Sequence, residues 1–250
     1  MNRVRQLLRL LQLNGGTFPT GGFSQSWGLE TYVAEGLVKD TESFRTFLES
    51  YLKSSIGKCE GPIICSAYAL AGQLQAEPAG GGTPPAAGAA DETEAGAAAQ
   101  LRRLEQLSNA VKVTKESREA GLRMGKAFAR IAEPMLPEGS FQPLRELFGG
   151  ASVSYPVIYG CVCRILDIEL KEALTAYVFS TANTLTQSAL KLIPLGNVEA
   201  QKVLFDMDEE MEGIACLCES TGVDEITNFC PGLDIASLKH EELPVRLYMS

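Results

Sequence analysis

An all-α fold is the architecture this chain predicts, and three observations carry it. Apolar residues recur at three- and four-residue spacings along much of the 250 residues, as in Phe44, Phe47, Leu48, Tyr51 and Leu52, which share one helical face. No β-branched run alternates with polar residues, and Asn14-Gly15, a hairpin-type dipeptide, lacks alternating flanks. Hydrophobic residues make up 45% of the chain, ample for one core, so a single helical bundle-like domain over residues 1–250 is expected.

The elements follow in chain order. The leucine-rich run through Leu7, Leu8, Leu10 and Leu11 reads as an ordinary first helix rather than a transit peptide, because it passes into the next segment without a cleavable spacer. Gly15-Gly16 and Gly21-Gly22 bracket Pro19 in a stretch too short for regular structure, so the backbone turns there. Ser24 is expected to cap a helix carrying Trp27, Leu29 and Tyr32, with Gly36 ending it. Thr41 is expected to cap a helix over 41–52, and a second helix starts at Gly61-Pro62 with 63–74 as its body, the two forming a hairpin. Residues 76–99 change abruptly to an Ala/Gly/Pro-rich composition with no large apolar side chain, which reads as a disordered insertion between helices.

Helical signal returns at Leu101, Leu104, Leu107 and Val111 and continues toward Ile131, where Pro134 and Pro137 end it. A short helix over 140–148 closes at Gly149-Gly150. An apolar helix begins in Ser154-Tyr155-Pro156, and a long amphipathic one over 169–193 carries Leu170, Leu174, Tyr177, Val178, Leu185 and Leu190. Asn197 is expected to cap a further helix with Val203, Leu204, Met207, Met211, Ile214 and Leu217 on its apolar side. Its Asp206, Asp208, Glu209, Glu210 and Glu212 form a solvated acidic face.

Charge narrows the function. With 22 Lys+Arg against 31 Asp+Glu the net charge is −9, which argues against nucleic acid as a partner. No apolar run reaches the roughly 18–20 residues a membrane span requires. Seven cysteines, an odd number in a chain able to fold without staples, fit reduced thiols in a cytoplasmic protein. The Cys161-x-Cys163 and Cys216-x-Cys218 pairs lie on helices, where residues two apart diverge, so burial is expected rather than a zinc site.

Enzyme chemistry finds no support. Ser24 in Gly22-Phe23-Ser24-Gln25-Ser26 lacks both the closing glycine and the preceding strand of a nucleophile elbow. The one histidine, His240, stands beside Glu241 and Glu242 and is expected to be an exposed surface residue. First-sphere nickel ligands do not converge by any spacing in the chain.

Three ordered stretches resemble the UreF family of urease accessory proteins. The first is Phe18-Pro19-Thr20-Gly21-Gly22-Phe23-Ser24-Gln25-Ser26-Trp27-Gly28-Leu29-Glu30. The second is Lys191-Leu192-Ile193-Pro194-Leu195-Gly196 with Gln201 beyond it; Lys191 stands where the family more often has arginine. The third is the tail Arg246-Leu247-Tyr248-Met249-Ser250. Weaker likenesses lie at Ser117-Arg118 and around Tyr155, which occupies a position where the family often has histidine.

The resemblance implies a non-catalytic adaptor in nickel insertion into apo-urease, bridging a urease-binding accessory protein and a nickel-carrying GTPase, with a homodimer at the centre of the complex. It implies no cofactor resident in this chain, nickel being handled by the complex. The residues expected to meet partners are Gly21, Gly22, Phe23, Ser24, Gly28, Glu30, Lys191, Pro194, Gly196, Gln201, Arg246, Leu247 and Tyr248. Two other readings are an activator of the partner GTPase, with Arg246 as the inserted arginine, and a helical adaptor unrelated to nickel.

Overall fold

Helix α8 (Tyr155–Ile165) is buried at every position from 156 to 163. A helix apolar on all sides has to be covered on all sides. Its closest neighbours are α4 (Gly61–Ala76) and α6 (Lys115–Ala132). Both approaches depend on a missing side chain. A Cβ on Gly160 would lie 2.6 Å from the Ile64 carbonyl oxygen of α4, and one on Gly125 of α6 would overlap the Val153 carbonyl. Inside this contact Tyr159 is fully buried, and its hydroxyl lies 2.9 Å from Asn14 Nδ2 and 3.0 Å from the Ala173 carbonyl oxygen.

The computed structural model describes residues 3–76 and 94–249. In chain order its remaining helices are α1 (Arg3–Leu13), α2 (Leu29–Ala34), α3 (Thr41–Tyr51), α5 (Glu94–Ala110), α7 (Gln142–Phe148), α9 (Leu170–Leu192), α10 (Asn197–Phe205), α11 (Asp208–Ser220) and α12 (Pro231–His240). No strand occurs among the described residues, as the all-α reading expects. The long helix α9 turns Leu174, Tyr177, Val178 and Leu185 into the core. The insertion expected over 76–99 falls mainly on residues 77–93, which lie outside the described residues. Its far end needs correction, because α5 is already helical from Glu94.

The hairpin expected between residues 52 and 61 does not form. Helix α3 continues through a π-helical stretch, Leu52–Glu60, directly into α4. Pro62 has no N–H to offer the Lys58 carbonyl four residues back, and the Thr227 N–H takes that acceptor at 3.0 Å. Gly57 and Gly61 let α11 close on this stretch. A Cβ on Gly57 would lie 2.9 Å from Leu217 Cδ2, and one on Gly61 would overlap Cys218 Sγ.

Two runs that read as single helices are broken in the structure. Residues 111–114 separate α5 from α6, whose N-cap is Thr114 with Oγ1 accepting from the Ser117 N–H. Asp206 and Met207 separate α10 from α11. Caps also shift by one residue: Asp40, not Thr41, closes a capping box with Ser43, and Gly196, not Asn197, is the N-cap of α10. Cys161, Cys163 and Cys218 are buried as expected, whereas Cys216, also expected inside, is exposed; Cys59 is buried too, and burial pushes the Cys59 and Cys163 thiols up to about 12.

The bare-backbone contacts make a paired prediction. Gly125→Ala, which has no room, is expected to cost about 1–3 kcal/mol or more. Gly213→Ala, in mid-α11 with nothing near its missing Cβ, is expected to add about 0.5–1 kcal/mol. Urea denaturation of both variants beside the parent chain checks the pair.

Candidate functional site

The stretch between α1 and α2 is held open by backbone that L-residues rarely adopt. Gly21 has φ +82° and Gly28 φ +87°, and Trp27 beside it sits at φ +47°. Two adjacent left-handed residues turn the chain sharply into α2, so the helix begins at Leu29 with Gly28 as N-cap. Ser24 is therefore not the cap. It ends a single 3₁₀ turn, Gly22–Ser24, and its hydroxyl donates to the Gly21 carbonyl at 2.7 Å.

The sharp turn at Trp27 and Gly28 places Glu30 in the first turn of α2, pointing inward and only 6% exposed. Its carboxylate accepts the Leu247 N–H at 2.7 Å on Oε1 and the Tyr248 N–H at 3.2 Å on Oε2. His240 Nε2 lies 2.9 Å from the same Oε2. The other ring nitrogen, Nδ1, faces Glu116 Oε2 of α6 at 3.4 Å, a charge contact without hydrogen-bond geometry. Glu116 also faces Arg246 Nη1 at 3.7 Å.

The tail, bent at 247–248, is thereby pinned across α2. Met249 N–H donates to the Ser24 carbonyl at 2.9 Å, Tyr248 is buried, and Lys191 Nζ stands 5.8 Å over the Tyr248 ring. Val245, Leu247 and Met249, at two-residue spacing, face outward and are 74%, 67% and 52% exposed.

The structure thus joins six of the expected partner residues, Ser24, Glu30, Lys191, Arg246, Leu247 and Tyr248, in one cluster. Gly21 stands open at the turn above it, and Gly22 packs against the Met124 side chain. Phe23 projects outward, 61% exposed. Pro194 and Gly196 are exposed beyond the end of α9, and the Gly196 N–H donates to Glu199. Gln201 lines a separate groove with Phe179 and Phe205.

The expectation for His240 is overturned: it is fully buried, not a surface residue. Its neighbours Glu241 and Glu242 are exposed, but Leu233, Ala236, Ser237 and His240 form an i, i+3, i+4, i+7 stripe that turns inward. That stripe was the readable signal. Thr31 fixes it to α2 by donating Oγ1–H to the Ala236 carbonyl at 2.9 Å.

Beneath the 14–28 stretch lies a cavity of about 120 Å³, with Trp27, Glu60, Lys112, Tyr155, Tyr177 and Asp234 among its walls. Lys112 Nζ is 2.7 Å from Glu60 Oε1, and the Tyr177 hydroxyl donates to Glu60 Oε2 at 2.7 Å. Burial alone would pull the Lys112 ammonium down, but the Glu60 carboxylate outweighs it and holds the pKa above its ordinary value. Burial, followed by the Glu60 charge, raises the Tyr51 and Tyr177 phenols well above theirs. Among the described residues no group of three or more His, Cys, Asp and Glu could hold a metal ion. No helix described is long and apolar enough to cross a membrane.

The fold and this site define a class: an all-α protein whose buried polar groups position its own C-terminal tail. A family model, UreF, matches residues 38–208. The chain is 30% identical over 245 residues to the urease accessory protein UreF of Paenarthrobacter aurescens (strain TC1), covering 97% of each chain. It is 29% identical over 252 residues to that of Bacillus sp. (strain TB-90), covering 99% and 100%. It is 28% identical over 258 residues to that of Ureaplasma parvum serovar 3, covering 98% and 96%. The chain belongs to the UreF family of urease accessory proteins.

The buried cation and phenols give this site a pH signature. Their folded pKa values are raised above unfolded values of 10.5 for lysine and 10.0 for tyrosine. Their stabilisation is therefore fully present below about pH 10 and lost as pH rises through the folded values. Thermal melts are expected to hold level from about pH 7 to 9 and to fall steeply above about pH 10.

Proposed function

We propose that this chain is a non-catalytic adaptor in nickel insertion into apo-urease, bridging a urease-binding accessory protein and a nickel-carrying GTPase. The observation that carries the reading is the pinned tail. Three apolar side chains, Val245, Leu247 and Met249, stand out from a backbone whose amides are fixed from beneath, a preorganised surface suited to protein contact. The family membership supplies the urease context. The protein works in the cytoplasm, and nickel is held by the assembled complex rather than by a cofactor site in this chain.

A homodimer is part of the same reading, and the face that fits it best lies across α9 and α10. Phe179, Val198 and Phe205 are 49%, 83% and 78% exposed there, beside Gln201. In the alternative reading Arg246 is the arginine inserted into a GTPase site; its side chain is 45% exposed and its guanidinium stands 3.7 Å from Glu116.

Co-expression of apo-urease and the other accessory proteins with this chain is expected to give active, nickel-loaded urease. A chain truncated after Pro244 is expected to lose most of that gain. Equal activity and bound nickel with the full chain, the truncated chain and no chain would rule the adaptor reading out.

A further inference from the structure

His240 is fully buried, whereas the tail side chains that face outward are Val245, Leu247 and Met249. It reaches the tail through one intermediary. Nε2 contacts Glu30, and Glu30 holds the Leu247 and Tyr248 amides. Those adjacent N–H groups belong to no helix or ladder, and a carboxylate can take both because it offers two oxygens with lone pairs to spare. A neutral amide side chain offers one such oxygen.

A carboxylate 6% exposed is costly without a counter-charge. Arg246, the tail's own cation, faces Glu116 and not Glu30. His240 Nε2, 2.9 Å from Glu30 Oε2, gives the buried carboxylate a third polar contact beside the two tail amides, and the ring stands between Glu30 and Glu116. Three elements remote in sequence meet here: α2 supplies Glu30, α6 supplies Glu116 and α12 supplies His240.

We propose that His240 and Glu30 are positioning residues for partner recognition. They lock the tail in the conformation that turns Tyr248 inward and Val245, Leu247 and Met249 outward. The affinity for the urease-binding accessory partner is then set in part by a histidine that never touches it. This rests on the reading of the tail as a partner-facing surface.

The decisive variant is Glu30→Leu/His240→Leu in the full-length chain. Removing both members leaves no unpaired charge in the interior, so the core keeps its fold, while Leu247 and Tyr248 lose their acceptor. Amide exchange is expected to speed up at least tenfold at Leu247 and Tyr248, with α8 and α9 amides as protected as in the parent chain. Affinity for the accessory partner is expected to fall at least tenfold. Single Glu30→Gln, which keeps one acceptor oxygen, is expected to fall between parent and double variant on both readouts, a graded rescue that general loss of packing does not produce.

Unchanged exchange at Leu247 and Tyr248 would overturn the lock. A freed tail with unchanged partner affinity would overturn the positioning role. If truncation after Pro244 also left affinity unchanged, the partner-facing reading of the tail would fail separately, while the exchange result would still decide whether Glu30 and His240 hold it.

Discussion

The close contact of α8 with α4 and α6 is the constraint on which the rest of the molecule depends. Gly160 and Gly125 let backbone meet backbone, and a side chain at either would collide with a carbonyl group rather than with a movable neighbour. With α8 enclosed, the faces of the surrounding helices are assigned. Helix α9 covers its far side, α1 and the 14–28 stretch lie against α9, and Asn14 ties that stretch to the buried Tyr159 hydroxyl. The glycine-rich signature is thus anchored at one end on the core and at the other on α2.

Polar groups follow the same logic from the inside outward. Lys112, Glu60 and Tyr177 satisfy one another beside the cavity, while Glu30 accepts from two tail amides and meets His240, whose other ring nitrogen faces Glu116. Such groups add little net stability compared with an apolar core, since desolvation offsets much of their attraction. What they contribute is specificity of arrangement. The first cluster joins the π-helical stretch to the loop before α6, and the second fixes a tail that has no helix or sheet to hold it.

The helical character, the inward faces of α3 and α9 and the turn bracketed by Gly15-Gly16 and Gly21-Gly22 were legible because each is local. Phe44, Phe47, Leu48 and Tyr51 announce a buried face by spacing alone. Features set by distant partners were not legible in the same way. The passage from α3 into α4 works because Thr227, more than a hundred residues on, supplies the N–H that Pro62 lacks. His240 looked solvated beside two exposed glutamates because its partner Glu30 is 210 positions away. The family signatures located the tail and the loop, but not that one carboxylate from the loop's end holds the tail. Asp40 outranked Thr41 as a cap for a local reason that spacing alone leaves open: both types cap well, and only the backbone decides which residue is extended.

In the proposed role, this UreF family member presents a preset tail to its partner. This claim is tested most directly by side-chain footprinting of the chain, free and in complex with the urease-binding accessory protein, using hydroxyl radicals. The account predicts that Leu247 and Met249, solvent-exposed in the free chain, become strongly protected in the complex, while buried Tyr248 stays unreactive in both. Leu247 and Met249 remaining as reactive in the complex as in the free chain, with protection elsewhere on the surface, would contradict it.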